Sequence, residues 1–355
     1  MVIKSCPNIP AGRFRIACAA RLLLLTLPAA VQAQFNYTTN YIYTTNSGTI
    51  TTNGTITITG YTGSGGAVII PSTTNGYPVT SIGNYAFQNI TNLASVTIGT
   101  NVTSIGEGTF FHCNSLTNVT IPNSVTNIRT YAFCYCFNLS SVTIPNSVTS
   151  IGQWVFAYCT SLTSITLPNS VTNIGFAAFA CSGLTSITLP NSVTIIGDSA
   201  FQSTSLTSIT IPNSITSIGE WVFQYCTSLT SLYFQGNAPS VGSTVFNYDN
   251  NVTVYYLPGT TNWSPTFAGS PTVLWNPQAQ SDASFGMRTN RFGFNIIGSS
   301  NLVIVVEACT NLANPLWSPL RTNTLNTYIG TNGTSYFSDA KWTNYPGRFY
   351  RLRSP

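Results

Sequence analysis

One histidine, seven scattered carboxylates and nine cysteines are the whole stock from which this 355-residue chain can build acid–base, nucleophilic or metal chemistry. Hydrolysis and proton transfer need titratable groups held close together, and no short paired motif of that kind occurs. His112 stands beside Cys113, which invites a reading as a Cys–His nucleophile pair. On a helical segment adjacent residues do not face each other, so Cys113 reads as a core position and His112 as a surface one. No cofactor motif is present, and enzyme activity is not expected.

The cysteines form a series. Cys113, Cys136, Cys159, Cys181 and Cys226 each precede a recurring Leu by three residues, with Ser203 filling the gap. Stacked turns would set them in a column at one depth. Export would permit disulfides, and a metal site is also conceivable. Yet seven cysteines follow residue 33, an odd number that includes Cys134 and Cys309, and no Cys-x-x-Cys pair occurs. Buried free thiols acting as small apolar side chains are the favoured account, with Cys134, off the column, as the candidate reactive exception.

The elements that position these residues follow from a repeat. A phrase such as Leu116-Thr-Asn-Val-Thr-Ile-Pro-Asn-Ser-Val-Thr-Asn-Ile128 restarts at Leu93, Leu116, Leu139, Leu162, Leu184 and Leu206, with a degenerate copy from Leu229. A period of this length means a solenoid of stacked turns. Within one copy, Leu162-x-x-Ile165-x-Leu167 is a short strand that Pro168 ends, because proline lacks the donor that ladder pairing needs. Asn169-Ser170 suits the turn, Val171 and Ile174 re-enter the core, and a helical turn carrying Phe179 follows Gly175.

Strand alternation then places one set of polar residues away from the core. Thr97, Thr120, Thr143, Thr166, Thr188 and Thr210 form one ladder, and Ser95, Asn118, Ser141, Ser164, Ser186 and Ser208 form a second two residues earlier. Stacking at about 4.8 Å makes them two parallel polar columns on one sheet face. They read as β-branched, soluble residues that pair well across strands, as a binding face for a glycan or protein, or as a regular hydroxyl array of the ice-binding type. A second candidate surface lies around each Phe, where Tyr131, Tyr135, Trp154, Tyr158, Phe176, Trp221 and Tyr225 gather. Large amphipathic aromatics are favoured in binding surfaces, though packing against the next turn would also use them. Trp154 and Trp221 recur in matching Trp-Val-Phe-x-Tyr-Cys phrases, a sign of duplication.

Composition sets the context. With 43% hydrophobic and only 5% charged residues, the chain can bury a long core while hydroxyls and amides do most of the solvating. Residues 1–33 read as a secretory signal peptide: a basic front, the apolar run Leu22 to Leu27 and the small-residue site Val31-Gln32-Ala33. The run is too short to span a bilayer, and no later stretch qualifies as a transmembrane helix. Without that segment eight basic residues face seven acidic ones, so a nucleic-acid partner is not indicated. Residues 34–67 read as an N-terminal β-hairpin cap, 68–250 as the repeat array, 251–277 as its C-terminal cap, 278–284 as a linker and 285–355 as a small β domain.

The phrase Leu-x-x-Ile-x-Ile-Pro-x-Ser-Val-x-x-Ile-Gly-x-x-Ala-Phe-x-x-Cys-x-Ser-Leu resembles the BspA-like class of bacterial leucine-rich repeats. The resemblance implies a curved, β-rich leucine-rich repeat solenoid with short helical turns on its convex side; after it, the β-type runs Phe292 to Ile296, Leu302 to Glu307 and Phe349 to Arg353 read as a small all-β sandwich-like domain. It further implies a secreted or cell-surface protein, several relatives of which act as adhesins or bind host and matrix proteins. The expected partner is an extracellular protein or glycan. The C-terminal segment, with Glu307 to Leu312, Trp317 and Tyr345 to Arg351, resembles a module found on many secreted bacterial proteins. Three roles are open to it: sorting or retention through its basic strand on an anionic cell-envelope polymer, carbohydrate binding through Trp317, Trp342 or Tyr345, or capping alone. An envelope spacer anchored by this module is the alternative to an adhesion protein.

Overall fold

The computed structural model of the chain describes residues 34–46, 49–249, 251–281, 283, 285–288, 291–298, 302–325, 333–345 and 347–353. The expected signal peptide, residues 1–33, lies outside them.

Alternation in the repeat phrase builds a β-solenoid. Leu162, Ile165 and Leu167 are buried, whereas Ser164 and Thr166 between them are exposed. Equivalent strands of successive turns pair in parallel: Gly66–Ile69, Leu93–Thr97, Asn118–Thr120 and Ser141–Val142, then Ser164–Thr166 with Ser186–Thr188, then Ser208–Ile211, Ser231–Phe234, Thr253–Tyr256 and Ser270–Leu274. A second parallel face is made of two-residue strands, such as Ser150–Ile151, Asn173–Ile174 and Ile195–Ile196. At the N-terminal end Phe35–Asn46 and Thr49–Tyr61 form an antiparallel hairpin, and its second strand pairs in parallel with Tyr77–Ile82.

The third side differs from expectation. Where short helical turns were expected, the chain forms hydrogen-bonded turns that do not continue into a helix. Ala132 and Cys134 donate their N–H groups backward to Arg129 and Tyr131, while Tyr131, Phe133 and Tyr135 donate theirs to Gln153, Val155 and Ala157 of the next turn at 3.0–3.1 Å. Two residues per turn adopt left-handed backbone: Tyr131 and Tyr135, Trp154 and Tyr158, Ala177 and Cys181, Ser199 and Ser203, Trp221 and Tyr225. A continuing α-helix would direct its N–H groups along its own axis to carbonyls four residues earlier. This alternation gives half of them to the neighbour, so the third side is stitched as well.

Inside, Phe87, Phe110, Phe133, Phe156, Phe179, Phe201, Phe223 and Phe246 stack with ring centroids 5.2–6.0 Å apart. Offset aromatic pairs of this kind add stabilisation beyond the area they bury. Many hydroxyls that look merely solubilising in fact bind backbone. Ser124, Ser170 and Ser192 donate to the carbonyls of Val102, Val148 and Val171 one turn earlier at 2.6–2.7 Å, and Thr117, Thr185 and Thr230 do the same on the ladder side at 3.0–3.2 Å. Carbonyls left by irregular backbone are thereby satisfied.

The C-terminal residues form two antiparallel sheets. Arg291–Gly298 pairs with Gln278–Ala279, Gly286–Arg288 and Gly333–Asp339, so part of the stretch read as linker is a strand. Val303–Cys309 lies between Ser318–Thr324 and Phe349–Arg353. Phe294, Ile296, Leu302, Ile304, Val306 and Phe337 share one buried cluster with Tyr233, Tyr255 and Trp275 of the array. The module is therefore docked on the last turns.

Candidate binding surfaces

The polar columns stand where alternation puts them. Ser95 opposes Asn118 and Thr97 opposes Thr120, Asn118 opposes Ser141, and Ser164 and Thr166 oppose Ser186 and Thr188. Thr97, Asn118, Thr120, Ser141, Thr143, Ser164, Thr166, Ser186 and Thr188 are exposed; Ser95 at the N-terminal end and Ser208 and Thr210 at the other are half-buried. The next residues in register after Thr210 are Tyr233 and Tyr255, both buried under the module. The ladder face is thus open over its middle turns and closed at its C-terminal end. A shallow depression of about 370 Å³ lies on it, lined by Ser141, Thr143, Asn146, Ser164 and Thr166.

Trp154 and Trp221 are on the third side, and nothing brings them to the ladder. Trp154 packs between Tyr131, centroid 6.1 Å away, and Phe176 at 5.4 Å. Trp221 stands 40% exposed, separated from that stack because Ala177 and Ser199 hold the two intervening steps. Beside this column runs another, in which His112, Tyr135 and Tyr158 stack at 4.4 and 4.3 Å. Between the columns Cys134, Ala157 and Ala180 make a buried apolar floor. The aromatic-walled cavity at its N-terminal end, about 610 Å³, adds Tyr85, Gln88 and Phe111. Sequence reading passed over these three, because Phe111 and Gln88 sit one residue after the core Phe and resemble spacers; the signal was that the same step is Cys134, Ala157 and Ala180 in the following turns.

The cysteine series needs one correction. The buried column holds Cys113, Cys136, Cys159 and Cys226, but its intervening steps are Ser182 and Thr204, not Cys181 and Ser203. Ser182 donates its backbone N–H to Phe179 just as Cys159 does to Phe156, whereas Cys181 donates outward to Gln202 as Tyr158 does to Ala180. The shorter copies lose their residue after this column, between Ser182 and Leu184, so counting back from Leu shifts the register by one. The column thiols donate to Phe carbonyls, Cys113 to Phe87 at 3.0 Å and Cys136 to Phe110 at 3.1 Å. Burial pushes the Cys113 thiol up to about 12 and Cys136 well above its usual range.

The candidate reactive exception is no better placed. Burial, outweighing a bond to backbone, raises the Cys134 thiol to about 12, and a protonated thiol is a poor nucleophile and metal ligand. All seven described cysteines are free, and among the described residues no cluster of three metal-binding side chains exists. His112 lies in left-handed backbone with its ring against Tyr135. Cys113 points instead into the core, so the two part company at a turn rather than on a helix.

In the module the basic strand is largely engaged. Burial of Glu307 favours its neutral form, yet bonds and charge from Arg353 and Arg351 outweigh that and hold the carboxyl below its usual range; the contacts are 2.5 and 2.7 Å. Arg351 also covers Trp317 at 4.5 Å and Arg348 covers Tyr345 at 4.4 Å, while Arg348 approaches Asp339 to 2.9 Å. Two of the three aromatics considered for sugar binding thus carry a guanidinium on the ring.

The family model for the BspA type leucine rich repeat region matches six copies, at residues 80–203 and 155–267, more than half of the chain. Among solved structures, a leucine rich repeat protein of T. pallidum is 33% identical, with 53% of this chain and 87% of that one covered and a TM-score of 0.47. A leucine rich cell surface protein from Faecalibacterium prausnitzii is 29% identical, with 61% and 69% covered and a TM-score of 0.45. None of the curated proteins matches the chain.

Proposed function

The chain belongs to the BspA type leucine rich repeat family, and from that premise we propose that it is an exported, non-catalytic binding protein that presents its ladder face to an extracellular protein or glycan. The observation that carries this reading is the run of exposed, uncharged Ser, Asn and Thr from Asn118 to Thr188, in register from Asn118 to Ser141 and again from Ser164 and Thr166 to Ser186 and Thr188. Such a face offers many neutral donors and acceptors across adjacent turns, at the strand spacing of about 4.8 Å. A cell-surface description of one structural relative and the residues 1–33 that read as a signal peptide support export. No helix among the described residues is long and apolar enough to cross a membrane. The non-catalytic part draws on His112 ringed by aromatics and on thiols held protonated.

The test is a binding screen of residues 34–355 against glycans, extracellular-matrix proteins and the producer's own envelope. Thr143→Lys, Thr166→Lys and Thr188→Lys together place three charges on exposed positions and are expected to abolish the hit by at least tenfold while leaving the thermal midpoint within about 2 °C. Binding to envelope material alone, retained by residues 278–355 alone, would sink this reading in favour of a spacer with a terminal anchor.

A further inference from the structure

The left-handed positions of the third side are demanded by the fold, but their aromatic occupants are not. Ala177, Cys181, Ser199, Ser203 and Asn89 hold the same backbone conformation in other turns. Asn is among the residues that tolerate it, and bulky side chains are rare there. Tyr85, Tyr131, Tyr135, Trp154 and Tyr158 nevertheless occupy it at φ 56–60° in neighbouring turns, as Trp221, Tyr225 and Tyr248 do in later ones, and four of the first group, Tyr85, Tyr131, Tyr135 and Trp154, line one cavity. Something other than backbone geometry accounts for that grouping.

The cavity has the parts of a ligand site. Its floor falls from Phe111 to Cys134 and on to Ala157 and Ala180, so a trough opens toward the C-terminal turns. One wall is Tyr131 and Trp154, the other Tyr135 and Tyr158. Gly108 completes the N-terminal end: a β-carbon there would stand 2.3 Å from the Tyr85 ring, so only glycine lets Tyr85 lie across that turn. The Tyr85 hydroxyl is fixed by donating to Glu107 Oε1 at 2.7 Å. Its volume of about 610 Å³ falls within the range of small-molecule sites.

The lining selects the ligand class. It offers aromatic carbon, phenol hydroxyls, an indole N–H and the Gln88 amide, and no charged residue lines it. A charged ligand would be desolvated without a counter-charge. An uncharged ring with apolar C–H faces and hydroxyl edges matches both parts. We propose that the trough between the Tyr131–Trp154 and Tyr135–Tyr158 columns is a binding site for short neutral oligosaccharides, distinct from the ladder face.

The experiment titrates the full chain from residue 34 with maltotriose, cellotriose and triacetylchitotriose, with sialyllactose as the anionic comparison, by calorimetry and tryptophan fluorescence. At least one neutral trisaccharide is expected to bind with a dissociation constant of about 1 mM or tighter and to change the emission. Trp154→Phe should retain the heat and lose most of the fluorescence change. Tyr131→Ala with Trp154→Ala should weaken binding about tenfold or more. Because that pair also supports packing, Cys134→Phe gives an independent check: the preceding turn already carries Phe111 at this step, so the fold accepts the ring while the floor is filled, and binding should vanish with the thermal midpoint unchanged. The Thr143, Thr166 and Thr188 lysine variant should bind the trisaccharide as well as the parent, whichever way the ladder screen turns out. Absence of saturable binding by all three neutral sugars, tighter binding of sialyllactose, or full binding by the Cys134→Phe protein overturns the assignment.

Discussion

Asp249 occupies the step of the buried column that earlier turns fill with Cys226 and Thr204, and its backbone N–H makes the matching bond to Phe246. It is 6% exposed and neither carboxylate oxygen has a hydrogen-bond partner among the described residues. Burial raises its pKa from 3.8 to about 6, the nearby Cys226 backbone opposing it only in part. The folded protein therefore holds a proton that the unfolded chain releases between these values, so this contribution to stability is complete below about pH 4 and is lost as pH rises through 6. Urea midpoints should fall from pH 4 to pH 7 by the equivalent of about 2 kcal/mol, and Asp249→Asn should flatten that slope and leave the variant the more stable at pH 7; an unchanged slope would assign the pH dependence elsewhere. Ser182 presents the milder version of the same problem, a buried hydroxyl without a hydrogen-bond partner among the described residues, where the preceding turn has the Cys159 thiol bonded to a Phe carbonyl and the following turn the Thr204 hydroxyl bonded to another. Ser182→Cys should raise stability by about 1 kcal/mol in the same unfolding measurement.

Each turn is an element that cannot cover its own apolar edge, so damage at one step is felt by both neighbours. Phe156 lies between Phe133 and Phe179 at 5.5 and 5.6 Å and is fully buried. Phe156→Ala should cost about 3–5 kcal/mol and speed hydrogen exchange in the adjoining turns at 133 and 179 more than in the terminal hairpin; uniform loss across the chain would mean that the array unfolds as one unit. This core was legible in the sequence, because Leu, Val, Ile and Phe recur at fixed offsets from Pro, and so was the ladder, because Ser164 and Thr166 alternate with Ile165. The third side was not. Its residues read as a helical turn from their spacing, but stacking offers the N–H groups of Tyr131, Phe133 and Tyr135 carbonyls in the next turn, and that bonding lies between repeats rather than within one. The column register failed for a related reason: Leu184 was a sound anchor for the strand, while the residue missing from that copy lies between the column and the anchor. Tyr85, Gln88 and Phe111 escaped notice because the cavity they line is assembled from neighbouring turns.

At the scale of the whole molecule, the array and the module are joined by a side-chain exchange at the ladder position itself. Thr210 is followed in register by Tyr233 and Tyr255, whose rings stack at 4.9 Å and enter the cluster that also holds Trp275, Phe294 and Ile296. A cleft of about 180 Å³ remains at the junction, reached by Leu352 and Arg353 of the final strand. Threonine here would continue the polar face and leave the module without a seat. Large aromatics account for much of the binding energy at packed interfaces, so two such rings account for docking without a disulfide among the described cysteines. Tyr233→Thr with Tyr255→Thr in the full chain should release the module: limited proteolysis should cut near residues 276–284 several times faster than in the parent, while the array fragment keeps its protease resistance because the two threonines extend an existing ladder. Unchanged cleavage would place the docking energy in Trp275 and the strand at Gln278–Ala279, and an array that also becomes labile would show that the module stabilises the last turns as well as covering them.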